Sequence, residues 1–426
     1  MRWLYLLLLA LLPLQWFVVG AGLRLHMAAI VLFTAVVFAT HGTHLVARVI
    51  RMAEPFIAAN LALTVIWVFA NRYHGFGVRQ PAEQMVLLAG FVAVAVATLA
   101  ILRDPGGRGV ELLRWSTWVC MVSLVGAMTY SMTVNGVNAV EVFGRTLTSG
   151  DPQVLQRELF RSAFGGFGLS EEAVMGNIRH EVFGALLLAL CLSSACRQLR
   201  PFATRRLTAV YLLGQGLAVM LLLLSMSRSV IIALAAWPML GLLRQLLAGR
   251  VTARGAGAGV LIVGAAGVLA TVGVLQVLWV RFTQDTGSYE ARDNLLQAAY
   301  SNLGRSLATG GVSTASASSH NFVIDTWLRA GIVASLAALV VVVLVCGLFI
   351  ALAFTLPQEP PWMLPVTAML VLPVVRFFTA GGGLIPPVQW IALGVVAGFL
   401  CYRAELRATA ASVRAPDTVP TAVRTA

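Results

Sequence analysis

The chain contains no lysine: all 30 of its basic residues are arginine. Without lysine no GxxxxGK[ST] phosphate loop is possible, which excludes that class of nucleotide-binding enzyme. Charge of either sign is scarce. Only 11% of the 426 residues are charged, against about a quarter in a soluble domain. The six histidines, at 26, 41, 44, 74, 180 and 320, show no HExxH or related spacing. The acids do not cluster at ligand spacing either, so no catalytic metal is expected. There is no CxxC pair, and the five cysteines each lie in or beside an apolar segment. They read as small buried apolar residues rather than disulfides or metal ligands. No strand-borne GxSxG nucleophile appears, and Asp285, Glu290 and Asp293 give no sign of opposing each other as a glycosidase pair would.

What fills the sequence is apolar residues, at 59%. The expected fold class is all-α, a polytopic helical bundle surrounded by membrane lipids. Crossing the bilayer takes roughly 20 apolar residues. The spans fall near 3–21, 25–43, 55–71, 85–102, 115–132, 181–196, 208–226, 230–246, 257–280, 330–355, 363–379 and 387–402, about twelve in all. The run after Arg2 is long and further spans follow, which favours a retained first helix over a cleaved signal.

Arginine placement orients the spans. One set of connections carries Arg48 and Arg51, then Arg103, Arg108 and Arg114, then Arg197 to Arg206, then Arg244 to Arg254. That side reads as cytoplasmic, with both termini on it. The transmembrane domain is expected over 1–402 and a disordered cytoplasmic tail over 403–426. Two long loops, about 133–180 and 281–319, fall on the opposite side. The excess positive charge (+13) is mostly accounted for by the cytoplasmic connections, which argues against nucleic acid as a partner.

Some arginines break this rule. Arg228, in "LLLLSMSRSVIIAL", sits in a tight connection on the outer side. Either it reaches outward to lipid headgroups or it forms an anion site with Ser225, Ser227, Ser229 and the adjoining helix termini. Helical spacing predicts a surface helix over Tyr289–Leu307. Arg305 near its end has a dipole rationale. Arg292 near its start needs either a local acid or a bound anion. Arg281 lies where the chain leaves the membrane, and Arg179-His180 closes the other loop. Arg329 and Arg376 lie at membrane depth.

The stretch "SSHNFVIDTWLRAGIVASL", Ser318 to Leu336, runs from polar loop into apolar helix. Its imidazole, His320, is either a helix-start residue bonding to loop backbone or a base facing an outer cavity. Asn321 reads as a cap. Asp325 and Arg329, four apart, are expected to pair on the helix.

This stretch resembles the signature of the O-antigen ligase and polymerase superfamily, in which a His-Asn pair at an outer helix end precedes a Gly-Ile about ten positions on. Here these residues are His320, Asn321, Gly331 and Ile332. "SMSRS" at 225–229 resembles the family's Ser/Arg motif between two spans. The resemblance covers roughly 208–350, and the ligase branch is closest in size. Arg329 stands near a position where the family pattern often has an acid.

The resemblance implies transfer of a glycan from undecaprenyl diphosphate to lipid A–core oligosaccharide. The reaction would take place on the periplasmic face of the inner membrane with inversion, without metal, nucleotide or other cofactor. It implies His320 as general base, with Asn321 beside it. Arg228 and Arg292, then Arg281 and Arg179, are the expected diphosphate-binding residues. A polymerase of the same superfamily is the alternative. A lipid-linked sugar transporter would need paired interrupted helices or an internal repeat, and neither is evident in the sequence.

Overall fold

The computed structural model describes residues 1–20, 23–151, 154, 158, 164, 179–225, 227–249, 276, 279–280, 287–312, 318–379 and 385–414, with backbone only at 19–20, 23, 179, 287–292 and 413–414. The expected span 257–280 and Arg281 lie almost wholly outside them.

The described chain is helical apart from a two-stranded antiparallel ribbon, β1 (Val18–Gly20) and β2 (Leu23–Arg24). The helices in chain order are α1 (Arg2–Leu11), α2 (Leu25–Thr40), α3 (Thr43–Met52), α4 (Glu54–Tyr73), α5 (Arg79–Arg103), α6 (Arg108–Leu113), α7 (Ser116–Val134) and α8 (Ala139–Ser149). They continue with α9 (Arg179–Leu199), α10 (Arg205–Leu224), α11 (Arg228–Leu247), α12 (Gly287–Leu303), α13 (Phe322–Thr355), α14 (Met363–Met369), α15 (Val371–Thr379) and α16 (Pro387–Arg414). Among the described residues eight helices are long and apolar enough to cross a membrane, or nine if the α2–α3 pair is one bent span.

α5 and α9 form the centre, with most of their residues buried, while α10 and α11 have few fully buried residues. α16 lies close against α5. A Cβ added at Gly394 would meet Phe91 O at 2.7 Å, and one at Gly398 would meet Thr98 Cβ at 2.5 Å. Small residues four apart let two backbones approach where apolar solvent gives helices little reason to associate.

Several expectations change. The first span is a 10-residue helix only, α1, which stops before Pro13. Proline lacks the amide the next turn needs. The chain still continues along α7: Ser123 Oγ donates to Ala10 O at 2.6 Å and Trp16 Nε1 to Ser131 Oγ at 3.3 Å. Arg48 and Arg51 lie on α3, which turns from α2 by 118°. The 363–379 span is two short helices, α14 and α15.

The tail expected to be disordered from 403 is helical to Arg414. Its charges explain why. Arg403 and Arg407 (2.7 Å) both bind buried Glu359, and Glu405 binds Arg103 and Arg48 (2.9 Å). Arg2–Asp104 (3.9 Å) and Arg114, which donates to Arg200 O at 2.8 Å, lie at this same end. The arginines sorted to one side by sequence therefore gather at one end of the bundle.

The largest departure is inside α13. Gly331 has φ 85° and ψ 177°, so the helix is interrupted there. That backbone region is essentially closed to other residues. The chain after the surface helix α12 fills the gap: Gly311 N donates to Arg329 O (3.1 Å), Val312 N to Leu328 O (3.0 Å), and Ile332 N to Leu307 O (3.0 Å). Beyond the break, 332–355 is still long enough, at about 1.5 Å per residue, to cross a bilayer. Gly331→Ala would place its Cβ 2.1 Å from Ala308 O. It is expected to cost about 2 kcal/mol or more, read as a lowered unfolding temperature in detergent. Gly347→Ala, on the same helix with nothing near the added carbon, should leave that temperature unchanged or raised.

Candidate functional site

The loop end that reaches His320 is built from short polar side chains. Asp325, fully buried on the first turn of α13, turns back toward the loop. It accepts from Ser318 Oγ (2.8 Å), Ser319 N (2.7 Å) and Ser319 Oγ (2.8 Å). Ser318 Oγ accepts in turn from His320 N at 3.2 Å. Asn321 caps α13 as its sequence position suggested, accepting from Val323 N at 3.0 Å and Ile324 N at 3.3 Å. Held between these two devices, His320 has φ 52°. Among the described residues it is the one non-glycine with positive φ. Such a conformation persists where its surroundings over-determine it, and it concentrates at functional sites.

The expected Asp325–Arg329 pair is not what holds these groups. The carboxylate serves the Ser318–Ser319 turn, while the Arg329 guanidinium lies over the Trp67 ring, 5.6 Å from its centroid. A first-turn carboxylate faces the open amides and hydroxyls of the chain entering the helix, and those satisfy it before a residue one turn on can.

Arg228 is the first residue of α11, and Ser227 before it caps that helix. Ser227 Oγ accepts from Val230 N, and Ser225 Oγ accepts from Ser227 N at 3.2 Å while donating to Leu222 O at 2.6 Å. Ser227 Oγ also hydrogen-bonds His180 Nδ1, and Ser229 Oγ lies 3.4 Å from the same nitrogen. His180 therefore ties the start of α9 to the start of α11. Sequence reading expected the neighbouring Arg179, which opens α9, to bind the diphosphate and did not foresee this tie. No spacing rule links residues 180 and 227; the weak signal was a histidine and a serine run each placed at an outer span end.

The helices that carry this cluster and His320 meet on α15. Glu181, next to His180, approaches Arg376 of α15 at 4.0 Å. Phe377 packs on Phe322, two residues after His320, with ring centroids 5.3 Å apart. α15 packs on both α11 and α13, and those two also touch. Arg376, placed by sequence only at membrane depth, thus has a carboxylate partner. The surface helix expected over 289–307 is α12, and it packs on α13. It carries Arg292, whose side chain is outside the described part, as is that of Arg179. His320, Asn321 and Arg228 are thus brought to one end of the bundle, and Arg179 and Arg292 lie on helices that start there or pack there. Among the described residues no cluster of three or more histidine, cysteine or acidic side chains could hold a metal.

No family model, curated protein or solved structure matches this chain.

Asp325→Ala would strand three donors in a buried turn, a loss of about 3 kcal/mol. Thermal unfolding should show it clearly, with Asp325→Asn milder because its remaining oxygen still accepts.

Proposed function

We propose that this chain is an inner-membrane glycosyltransferase of the O-antigen ligase type. It carries about twelve spans, both termini are cytoplasmic, and the reactive end faces the periplasm. The donor is a glycan on undecaprenyl diphosphate and the acceptor is lipid A–core oligosaccharide. The acceptor hydroxyl attacks the anomeric carbon as its proton passes to the His320 imidazole. The bond from that carbon to the diphosphate oxygen breaks with its electron pair going to the leaving group, and configuration inverts. Imidazole is a suitable base near neutral pH. Arg228, with Arg292, Arg281 and Arg179, neutralises charge building on the diphosphate, where fixed guanidinium forks are most effective.

The observation that carries this reading is the backbone of His320. Three side chains and a cap hold a histidine in a left-handed conformation at a loop–helix seam. A packing residue would gain nothing from it. The helices that begin at Arg228 and just after His320 touch each other and both pack on α15, which supports one shared site.

A transporter is the competing reading, because α13 is interrupted. In transporters the carbonyls freed at such a break coordinate ions or substrate. Here two of them, at Leu328 and Arg329, already accept from Val312 and Gly311. That favours a break that anchors a loop. A polymerase extending the glycan on its lipid carrier would share every residue above, and only the acceptor separates it from the ligase.

The test is transfer by purified protein in detergent between a defined lipid diphosphate donor and lipid A–core. His320→Asn keeps a residue that tolerates positive φ and should lower turnover by about 10²-fold or more. Full activity in that variant would overturn the role of His320. Arg228→Lys should retain part of the donor binding that Arg228→Ala loses. Product built on the lipid carrier alone would assign the polymerase.

A further inference from the structure

The α3–α4 corner and helices α5, α13 and α16 leave a cavity between them, toward the bundle end that carries Glu405. It measures ≈ 260 Å³, and every side chain lining it is apolar, from Met52, Ala53 and Pro55 at the corner to Leu348 on α13 and Leu400 on α16. α4, α5, α13 and α16 are each long and apolar enough to cross a membrane, so the cavity lies at bilayer depth. Its walls are tied together. Arg48 on α3 binds Glu405 on α16 at 2.9 Å, and Met52 Sδ accepts from Cys401 Sγ at 3.3 Å. Phe56 on the first turn of α4 packs on Phe91 of α5, with ring centroids 5.1 Å apart.

Water has no polar partners in such a space. An apolar cavity of about 150 Å³ already stays dry and takes up benzene. Left empty, the walls would forfeit dispersion contacts on one side. A larger apolar cavity at bilayer depth fits a stretch of one hydrocarbon chain.

The corner beside it selects the lipid. α3 turns from α2 by 118° and buries Leu45 and Val49 while Arg51 stays exposed. That pattern suits a helix lying along a membrane interface. Arg51 in the last turn of α3 and Glu54 at the start of α4 flank the lining residues Met52 and Ala53. Each charge suits its helix end. Both side chains are exposed, and among the described residues neither has an ion-pair partner. A cation and a carboxylate three residues apart, beside an apolar cavity, match a phosphate and an ammonium carried on an acyl chain. A purely anionic lipid would bring its charge to Arg51 and leave Glu54 facing like charge. A polyprenyl phosphate would do the same.

We infer that this is a binding site for an aminophospholipid such as phosphatidylethanolamine. Part of one acyl chain fills the cavity, the phosphate meets Arg51 and the ammonium meets Glu54. The site shares no residue with the His180–Arg228 cluster, so it stands whether or not the chain transfers a glycan.

Native mass spectrometry of the purified full chain, stripped of lipid by detergent exchange, tests it. Phosphatidylethanolamine, phosphatidylglycerol and a polyprenyl monophosphate are added singly and in competition. Phosphatidylethanolamine should bind about tenfold tighter than either of the others, the scale of one charge-assisted contact. Glu54→Gln should remove that preference by weakening phosphatidylethanolamine alone. Arg51→Gln should weaken both phospholipids alike. Leu348→Trp, which fills the cavity, should abolish the tight binding. The two corner variants change exposed side chains, so they decide the matter even if Leu348→Trp does not fold. Phosphatidylglycerol binding as tightly in the wild type would overturn the inference, as would an unchanged preference in Glu54→Gln or wild-type binding by folded Leu348→Trp. Displacement by the polyprenyl phosphate would assign the cavity to a carrier lipid and overturn it too. No lipid retained above the detergent background would do the same.

Discussion

A carbonyl at the edge of a bilayer cannot rely on water for a hydrogen bond. The arrangement around His320 follows from how α13 meets that constraint. Gly331 interrupts the helix, and the residues following α12 supply amides to Leu328 and Arg329 and accept one from Ile332. The returning chain is thereby stitched to the helix it is about to enter. Its end can then be held by Asp325 and Asn321 rather than swing freely, and His320 is carried between them. The same stitch holds Arg329 against Trp67.

Much of this was legible in sequence because it depends on local rules. Helices follow from apolar run length, and among the described residues eight of them, or nine with the bent α2–α3 pair, are long and apolar enough to be spans, against the twelve expected. Asn321 and Ser227 sit where caps belong, and both cap. The break at Gly331 was not legible. Apolar residues run on through Ile332 without a change of period, so nothing local separates an interrupted helix from a whole one. The direction of Asp325 was misread for a related reason. Spacing of four predicts a partner within the helix, while the partners that hold it precede the helix. His180 and Ser227 are joined across 47 residues, a distance over which no sequence pattern speaks.

The two ends of the bundle distribute arginine differently. At the end carrying the chain's C-terminal helix, arginines gather on acids and carbonyls: Glu359 takes two, Glu405 two more, and Arg114 and Arg244 bind backbone oxygens. Those contacts tie together short connections that have little apolar surface of their own. At the other end the ion pairs are scattered, Arg79 with Glu83, Arg145 with Glu158 and Arg376 with Glu181, and Arg228 stands at a helix start beside serine. A chain without lysine uses this one cation for both arrangements.

The helical run of α16 to Arg414 bears on how the protein can be handled. Reporter fusions are a common way to ask which compartment a chain end occupies, and the natural place to cut would be Tyr402, where the apolar stretch closes. A truncation there would discard Arg403, Glu405 and Arg407 and leave buried Glu359 without the cations that bind it. A reporter joined after Arg414 keeps that lock intact, so signal from the two junctions would report fold integrity as well as compartment.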